Sequence, residues 1–371
     1  MKILHIGNLK SGIDTYVRNT VALASDEFEF VIVCGADDNS EPYIRHGKPL
    51  PQYHIDMYRT LNPIKDIKAV CQAIKIIRKE KPDLVHCHSA KGGVIGRFAA
   101  FLCGRKSVYT AHAFSFLSAN YPQKREIFLL LEKIARLNSV LIGCSASERK
   151  LAIEKAGYKP EKAYAWNNAI PAISPEDILK PKDLDSNEKY IISIGRPSYQ
   201  KNPLLIVEIM KRIHLRHPDV KFYLVGVGFY SPMLDETKAL ISKYGLDDFF
   251  IMLPWLSHSE TLGYLKNAMF YMTTSLYEGL PIAVLEAMAM GKAIVSSDVI
   301  GNSDCVKDGF NGCLLPMDAD RFTEACCRLI ENEDLRKRMG ENSLTYFEKD
   351  FLIDNRIGEL EILYRKIGNK T

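Results

Sequence analysis

The 371-residue chain reads as an α/β protein of two Rossmann-like domains, each a parallel sheet built from βαβ units. Three observations predict it. Short apolar runs such as Lys2-Ile3-Leu4-His5-Ile6 and Tyr190-Ile191-Ile192-Ser193-Ile194 alternate with amphipathic stretches of helical length, at the spacing of parallel crossovers. The length exceeds what a single hydrophobic core usually fills. Between Ile170 and Lys189 the text turns to IPAISPEDILKPKDLDSNEK, rich in Pro, Asp and Lys, which reads as an interdomain linker centred on 173–187. That places a first domain at 1–172 and a second at 188–350.

Composition narrows the class. At 47% hydrophobic and 25% charged residues the chain is an ordinary globular protein. It has no apolar run near the ~18 residues of a membrane span, and MKILHIGNLKSG enters a strand without a signal-peptide pattern. A cytoplasmic protein is expected. Nine scattered cysteines without C-x-x-C spacing argue for reduced thiols. Net charge is +4, unevenly spread: 25 Lys and Arg against 16 Asp and Glu up to Ala172, or +9, and 24 against 29, or −5, thereafter. Such asymmetry suits an anionic partner, a nucleic acid or a membrane surface. No nucleic-acid-binding module is recognisable, so no nucleic-acid partner is expected.

In the first domain, strand Lys2–Ile6 leads through a loop with Gly7 and Gly12 into a helix from Asp14 to Ala24. The loop lacks the Lys-Ser/Thr of a Walker A motif and the G-x-G-x-x-G of a dinucleotide site, and remains a turn at a strand's carboxyl end, where open α/β sheets bind ligands. Phe30–Cys34 is a strand, Pro63–Lys79 a helix, and Asp83–His88 a strand. His86-Cys87-His88 puts two histidines on one strand face. This is a thin metal motif, with few ligands nearby, and fits better a strand running into a site loop. A helix to Leu102 follows, then strand Ser107–Ala111, which delivers His112 to another carboxyl end. The segment KREIFLLLEKIARL, Lys124–Leu137, is a basic amphipathic helix with two readings, core packing or attachment to an anionic membrane surface. Ser139–Cys144 is a strand, and Ser145 with Glu148 resembles a capping box.

In the second domain, strand Tyr190–Ile194 delivers Gly195-Arg196-Pro197 and then Lys201, two cations able to neutralise a diphosphate. Lys221–Val225 ends in Gly226-Val227-Gly228, where backbone can approach a ligand. Ile251–Trp255 is a strand and turn that includes Pro254 and Trp255. The most informative stretch is Tyr271–Ser297: a strand, a polar turn through Glu278-Gly279-Leu280-Pro281, a helix with Pro281 at its first position, Gly291 as its stop, and another strand. A helix start beside an acid and hydroxyls suits a sugar joined to a phosphate. Glu286 interrupts an apolar run, so it faces either solvent or a buried partner. Asp183-x-Asp185 and Asp318-x-Asp320 look like metal pairs but sit where linker and helix-cap residues are expected.

EGLPIAVLE, with AMAMGKAIVSSD after it, resembles the Glu-seven-residues-Glu motif of retaining family-4 glycosyltransferases of the GT-B fold. SGIDTYV, TAHAFSF and GRPSYQKNP resemble that family's glycine loop, histidine segment and phosphate-binding segment, so the likeness spans nearly the whole chain. GNSD at 301–304 departs from the family's usual turn. The resemblance implies two Rossmann-like domains facing an interdomain cleft, with a C-terminal helix, 351–371, crossing back to the first. It implies transfer of a sugar from a nucleotide-sugar donor, UDP-linked by preference, to a hydroxyl of a glycan or lipid-linked glycan acceptor in bacterial surface polysaccharide synthesis. No metal and no other cofactor would be required. Carried over by position, Arg196 and Lys201 hold the diphosphate, Glu278 the sugar hydroxyls, Glu286 the ribose, and His112 the donor sugar. Gly12, Gly226, Pro254, Trp255, Gly279, Leu280, Pro281 and Ile282 complete the donor contacts. Glu278 is also the candidate nucleophile of a double displacement, against front-face substitution. A sugar-nucleotide epimerase of the same fold and a non-catalytic nucleotide-sugar-binding protein are the alternatives.

Overall fold

A computed structural model describes residues 1–368 except 39, 59, 61, 120, 182, 183, 186 and 229. The chain divides into two compact units, Met1–Pro171 with Ile353–Thr371, and Ala172–Leu352. Each is a parallel sheet with helices, in the doubly wound manner of a Rossmann-like domain.

The first unit carries a seven-stranded sheet in the order Gln52–Ile55, Glu29–Gly35, Lys2–Gly7, Leu84–His88, Lys106–Thr110, Val140–Gly143, Ala163–Ala165. The strand order reverses between Lys2–Gly7 and Leu84–His88, so their carboxyl ends form the switch point at which such sheets open a ligand crevice. The central strands are buried on both faces and read as continuous apolar runs. Gln52–Ile55 and Ala163–Ala165 escape a sequence reading because edge strands are short and half-polar. The helix after the first strand begins at Gly12, two residues earlier than expected, behind Ser11 at φ 55°. The terminal helix Ile353–Gly368 buries Ile353, Leu360, Tyr364 and Ile367 in the same core as Ile3, Tyr16 and Trp166, so it does return to the first unit. Trp166 Nε1 donates to the Arg356 carbonyl at 3.0 Å, which fixes that helix's depth.

The second unit carries a six-stranded sheet in the order Phe250–Pro254, Val220–Val227, Lys189–Ile194, Tyr271–Thr273, Ile294–Ser297, Gly312–Leu315. Its switch point lies between Lys189–Ile194 and Tyr271–Thr273, paired through Ile192 and Tyr271. Helices Pro203–Arg216 and Ala319–Glu331 bury Ile206, Met210, Ile213, Phe322 and Leu329 over one face. At roughly 1.5–3 kcal/mol for each large apolar side chain removed from water, these stripes hold the sheet that positions the loops above it. Part of the expected linker packs within this unit: Leu179 donates its N–H to the Ser259 carbonyl at 3.0 Å.

Candidate active site

The loops that carry Arg196, Gly228, Trp255 and Glu278 each leave the carboxyl end of a strand. After Ile194, Arg196 reaches the Tyr230 carbonyl at 3.3 Å. A single helical turn, Tyr199–Lys201, then brings Lys201 back under the sheet edge. Its Nζ lies 2.7 Å from Glu278 Oε1, while Gln200 Nε2 donates to Glu278 Oε2 at 3.0 Å. Burial works against the Lys201 charge, and Glu278 and Tyr271 more than offset it, so the ammonium titrates above its ordinary value. Glu278 is buried, and Gly301 closes over it: a Cβ there would stand 2.7 Å from Glu278 Cβ, and φ 88° disfavours any side chain.

Helix Ile282–Ala289 follows, with Pro281 as its N-cap (φ −75°, ψ 116°) rather than its first residue. The cap is extended because the chain must turn out of the Glu278 loop before helical geometry begins. Gly291 ends the helix at φ 65° as expected. Glu286 is buried, not solvent-facing, and accepts a hydrogen bond from His258 Nε2 at 2.8 Å. That bond raises the His258 pKa. Gly226 sits at a bulge between Val225 and Val227, and brings Gly228 against Trp255, which is 60% exposed. A flat exposed indole beside glycine backbone is a surface on which a base can stack.

In the first unit the switch point is filled by imidazoles. His5, His86 and His88 are fully buried, and His112 follows strand Lys106–Thr110 with φ 52°. Nδ1 of His5 lies 2.8 Å from Nε2 of His88, and Nδ1 of His88 lies 3.0 Å from Nε2 of His112. His86 bonds the Tyr364 hydroxyl at 2.7 Å and Thr110 Oγ1 at 2.9 Å. Burial pushes His5 and His112 down to about 3, and His86 and His88 well below the ordinary histidine value. His5, His86 and His88 are close enough to suggest a metal centre, with ligand atoms within 4.8 Å of one another. Yet both nitrogens of His86 and of His88 are already engaged, so a metal would have to break those bonds.

The left-handed backbone at His112 and Ala113 is pinned by Glu148. One carboxylate oxygen accepts from Ala113 N and the other from Cys144 N, both at 2.8 Å. Ser145 does cap its helix through Glu148 N, but the Glu148 side chain serves the histidine loop instead of closing the expected box.

Comparison with known proteins agrees with this geometry. Residues 10–172 match the family described as Glycosyltransferase Family 4, and residues 175–345 match Glycosyl transferases group 1. The chain belongs to glycosyltransferase family 4. A relative in Escherichia coli, named UDP-Gal:alpha-D-GlcNAc-diphosphoundecaprenol alpha-1,3-galactosyltransferase, is 29% identical, with 98% of this glycosyltransferase and 96% of the relative covered. Among solved structures, sucrose-phosphate synthase from Thermosynechococcus elongatus superposes with a TM-score of 0.83 at 18% identity, covering 99% of both chains. Anabaena HepE, solved with UDP and glucose, superposes at 0.78 with 18% identity, covering 98% of this chain and 99% of that one. These two likenesses carry the GT-B fold.

Within the second unit the glycosyltransferase gathers Lys201, Gln200 and Gly301 around the Glu278 carboxylate and sets Glu286 about one turn along the helix that follows. Gly12 heads a helix at the switch point of the first unit, the same sheet edge that carries His88. Sequence reasoning missed Gln200, His258 and Gly301 in the second unit and His5 and the role of Glu148 in the first. Gln200 beside Lys201 and Gly301 at the head of GNSD are visible as positions, but their partners lie far along the chain. Asp318 caps helix Ala319–Glu331 through Arg321 N, as its position implies, and Asp183 lies outside the described residues. Among the described residues no helix is long and apolar enough to cross a membrane.

Proposed function

We propose that this glycosyltransferase moves a sugar, with retention of anomeric configuration, from a UDP-sugar to a hydroxyl of a lipid-linked glycan during assembly of a bacterial surface polysaccharide. The observation that carries the donor half is the Lys201–Glu278–Gln200 cluster beside Arg196 at the switch point of the second sheet. Arg196 and Lys201 neutralise the departing diphosphate as preorganised charges aimed at where negative charge develops. Glu278, held by two donors, accepts from sugar hydroxyls, Glu286 from the ribose in exchange for His258, and His112 contacts the sugar. Because the chain supplies both cations, no divalent ion is required. The lipid-linked acceptor is supported by the name of the Escherichia coli relative. The test is transfer from a panel of nucleotide sugars to a synthetic sugar-diphospholipid, with product anomer read by NMR. Transfer of an α-linked sugar from an α-configured UDP donor is expected, and an inverted product or free UDP without glycoside overturns it.

The same reading places the chain on the membrane that holds such an acceptor. In helix Pro122–Ala135, Glu132 turns inward to a fully buried Arg97, at 3.0 Å, and to the Tyr109 hydroxyl, at 2.9 Å. That anchor rotates the opposite stripe outward: Ile127 is 57%, Leu130 57%, Leu131 41% and Ile134 53% exposed. Their spacing, i, i+3, i+4 and i+7, makes one continuous apolar face. Lys124, Arg125 and Lys133 are exposed beside it, whereas Arg136 leans over Gly157. An apolar stripe edged by cations fits the interface of an anionic bilayer, where acyl chains take the stripe and headgroups the charges.

A further inference from the structure

We propose that His5, His88 and His112 form a one-way chain of hydrogen bonds that holds His112 as its Nδ1–H tautomer, so that the ring offers a sugar oxygen a donor and not a lone pair. The role of the sugar rests on the function proposed above; the tautomer does not.

The argument begins with proton counting. A bond between two imidazoles needs one proton between the facing nitrogens, and a neutral imidazole carries one proton in all. His88 uses both nitrogens, Nε2 toward His5 and Nδ1 toward His112. It must therefore donate on one side and accept on the other, which makes the two bonds point the same way along the chain. Only two arrangements remain. If the protons run from His112 toward His5, His5 ends the chain with an Nε2–H. If they run from His5 toward His112, His5 ends it with a bare lone pair and His112 keeps its proton on Nδ1.

The far end decides between them. Nε2 of His5 is buried and has no hydrogen-bond partner among the described residues. The neighbouring His86 cannot take a proton from it. Thr110 spends its hydroxyl hydrogen on the Ile142 carbonyl at 2.7 Å, so Thr110 accepts from Nε2–H of His86. Nδ1 of His86 then accepts from the Tyr364 hydroxyl, and both nitrogens are spent. An orphaned buried N–H is rarer and costlier than an under-used lone pair. The chain therefore runs from His5 to His88 to His112, and His86 beside it carries the opposite tautomer.

The outer end is aimed as well as polarised. The backbone at His112 is held left-handed, with Ala113 N bonded to Glu148, and the ring itself is tied through Nε2 to His88 at 3.0 Å, which leaves Nδ1 as its outer nitrogen. His5 and His88 are positioning residues: they touch no substrate and set which nitrogen of His112 bears hydrogen. Such a ring recognises an oxygen that accepts, as a hydroxyl or carbonyl does, and discriminates against an ammonium at the same sugar position.

The test is long-range proton–nitrogen NMR of the full chain labelled with nitrogen-15 histidine, without ligand, at neutral pH. Expected are Nδ1–H signatures for His5, His88 and His112 and an Nε2–H signature for His86. An Nε2–H signature for His112 overturns the proposal. The His5→Phe variant removes the first donor and should let His112 revert to Nε2–H, with donor KM raised about tenfold, the scale of one neutral hydrogen bond. His5→Asn, whose amide can stand in for Nδ1–H, should restore both signals, which a role in packing alone would not do. His112 unchanged in His5→Phe also overturns the chain. The expected tautomers with unaltered donor KM leave the chain standing and count instead against His112 as the sugar contact. Should His5→Phe not fold, the wild-type tautomers decide alone.

Discussion

Lys201 and Glu278 are joined at 2.7 Å at the switch point of the second sheet, the carboxylate buried and the ammonium partly so. Removing one partner leaves the other unpaired, and removing the cation also strips a charge from the proposed leaving-group site. Lys201→Ala and Arg196→Ala are each expected to slow transfer by about two orders of magnitude, the scale of losing one preorganised electrostatic donor. Steady-state kinetics with saturating acceptor measure it, and near-wild-type turnover in both variants would remove the diphosphate assignment.

Gly301 packs on Glu278 more tightly than any other residue type allows. Gly301→Ala forces a methyl toward Glu278 Cβ, at 2.7 Å, from a backbone at φ 88°. A strained residue of this kind costs about 1–3 kcal/mol. The expected outcome is a folded protein with Glu278 displaced and donor KM raised roughly tenfold, the equivalent of about 1.4 kcal/mol. Unchanged KM alongside unchanged circular dichroism would show that this contact does not position Glu278 for the donor.

Because Arg196 and Lys201 are built into the chain, transfer should survive excess EDTA. Activity lost with chelator and restored by one divalent ion would show that the leaving diphosphate is neutralised by metal.

The buried histidines give stability a pH dependence whose sign is fixed. Their folded pKa values lie below the ordinary 6.5, about 3 for His5 and His112, so the unfolded chain binds protons that the folded chain refuses. The stabilisation is complete above pH 6.5 and drains away as pH falls toward 3, at roughly 1.4 kcal/mol per pH unit for each ring. Urea midpoints of the first unit's transition should fall steeply between pH 7 and 5.5. Equal midpoints at those two values would mean that the rings are not held neutral.

Much of this was readable in the chain itself. The period of the apolar runs gives both sheets, and Arg196, Lys201, Glu278 and His112 stand out because each follows a strand end, where the topology gathers ligand sites. What could not be read is pairing at a distance. Glu286 reads as either solvent-facing or buried on a partner until His258, on another helix, is seen to hold it. Glu148 looks like half of a local cap, yet its carboxylate ties two strand ends together. The strands Gln52–Ile55 and Ala163–Ala165 carry too little apolar pattern, since an edge needs only one neighbour to pair with.

The helix Pro122–Ala135 shows the same limit most sharply. Its sequence is equally compatible with core packing and with a surface face, because Phe128 to Leu131 supply apolar residues in every direction. What selects the direction is a charge: Glu132 must meet the buried Arg97, since breaking a buried pair costs about 3–5 kcal/mol, and Ile127, Leu130 and Ile134 are left facing out. Attachment should then have two separable parts. Changing Lys124, Arg125 and Lys133 to Gln should remove the salt-sensitive part, at about 1 kcal/mol for each charge near an anionic surface. Changing Ile127, Leu130 and Ile134 to Ser should remove the part that persists at high salt, without loss of fold, as these side chains are already exposed. Co-sedimentation with phosphatidylglycerol vesicles and with neutral vesicles, at low and high salt, resolves both. Wild-type protein left in the supernatant with anionic vesicles at low salt would show that this face does not bind a bilayer. Binding untouched by the serine changes would mean that charge alone recruits the protein and that the apolar stripe faces something other than acyl chains.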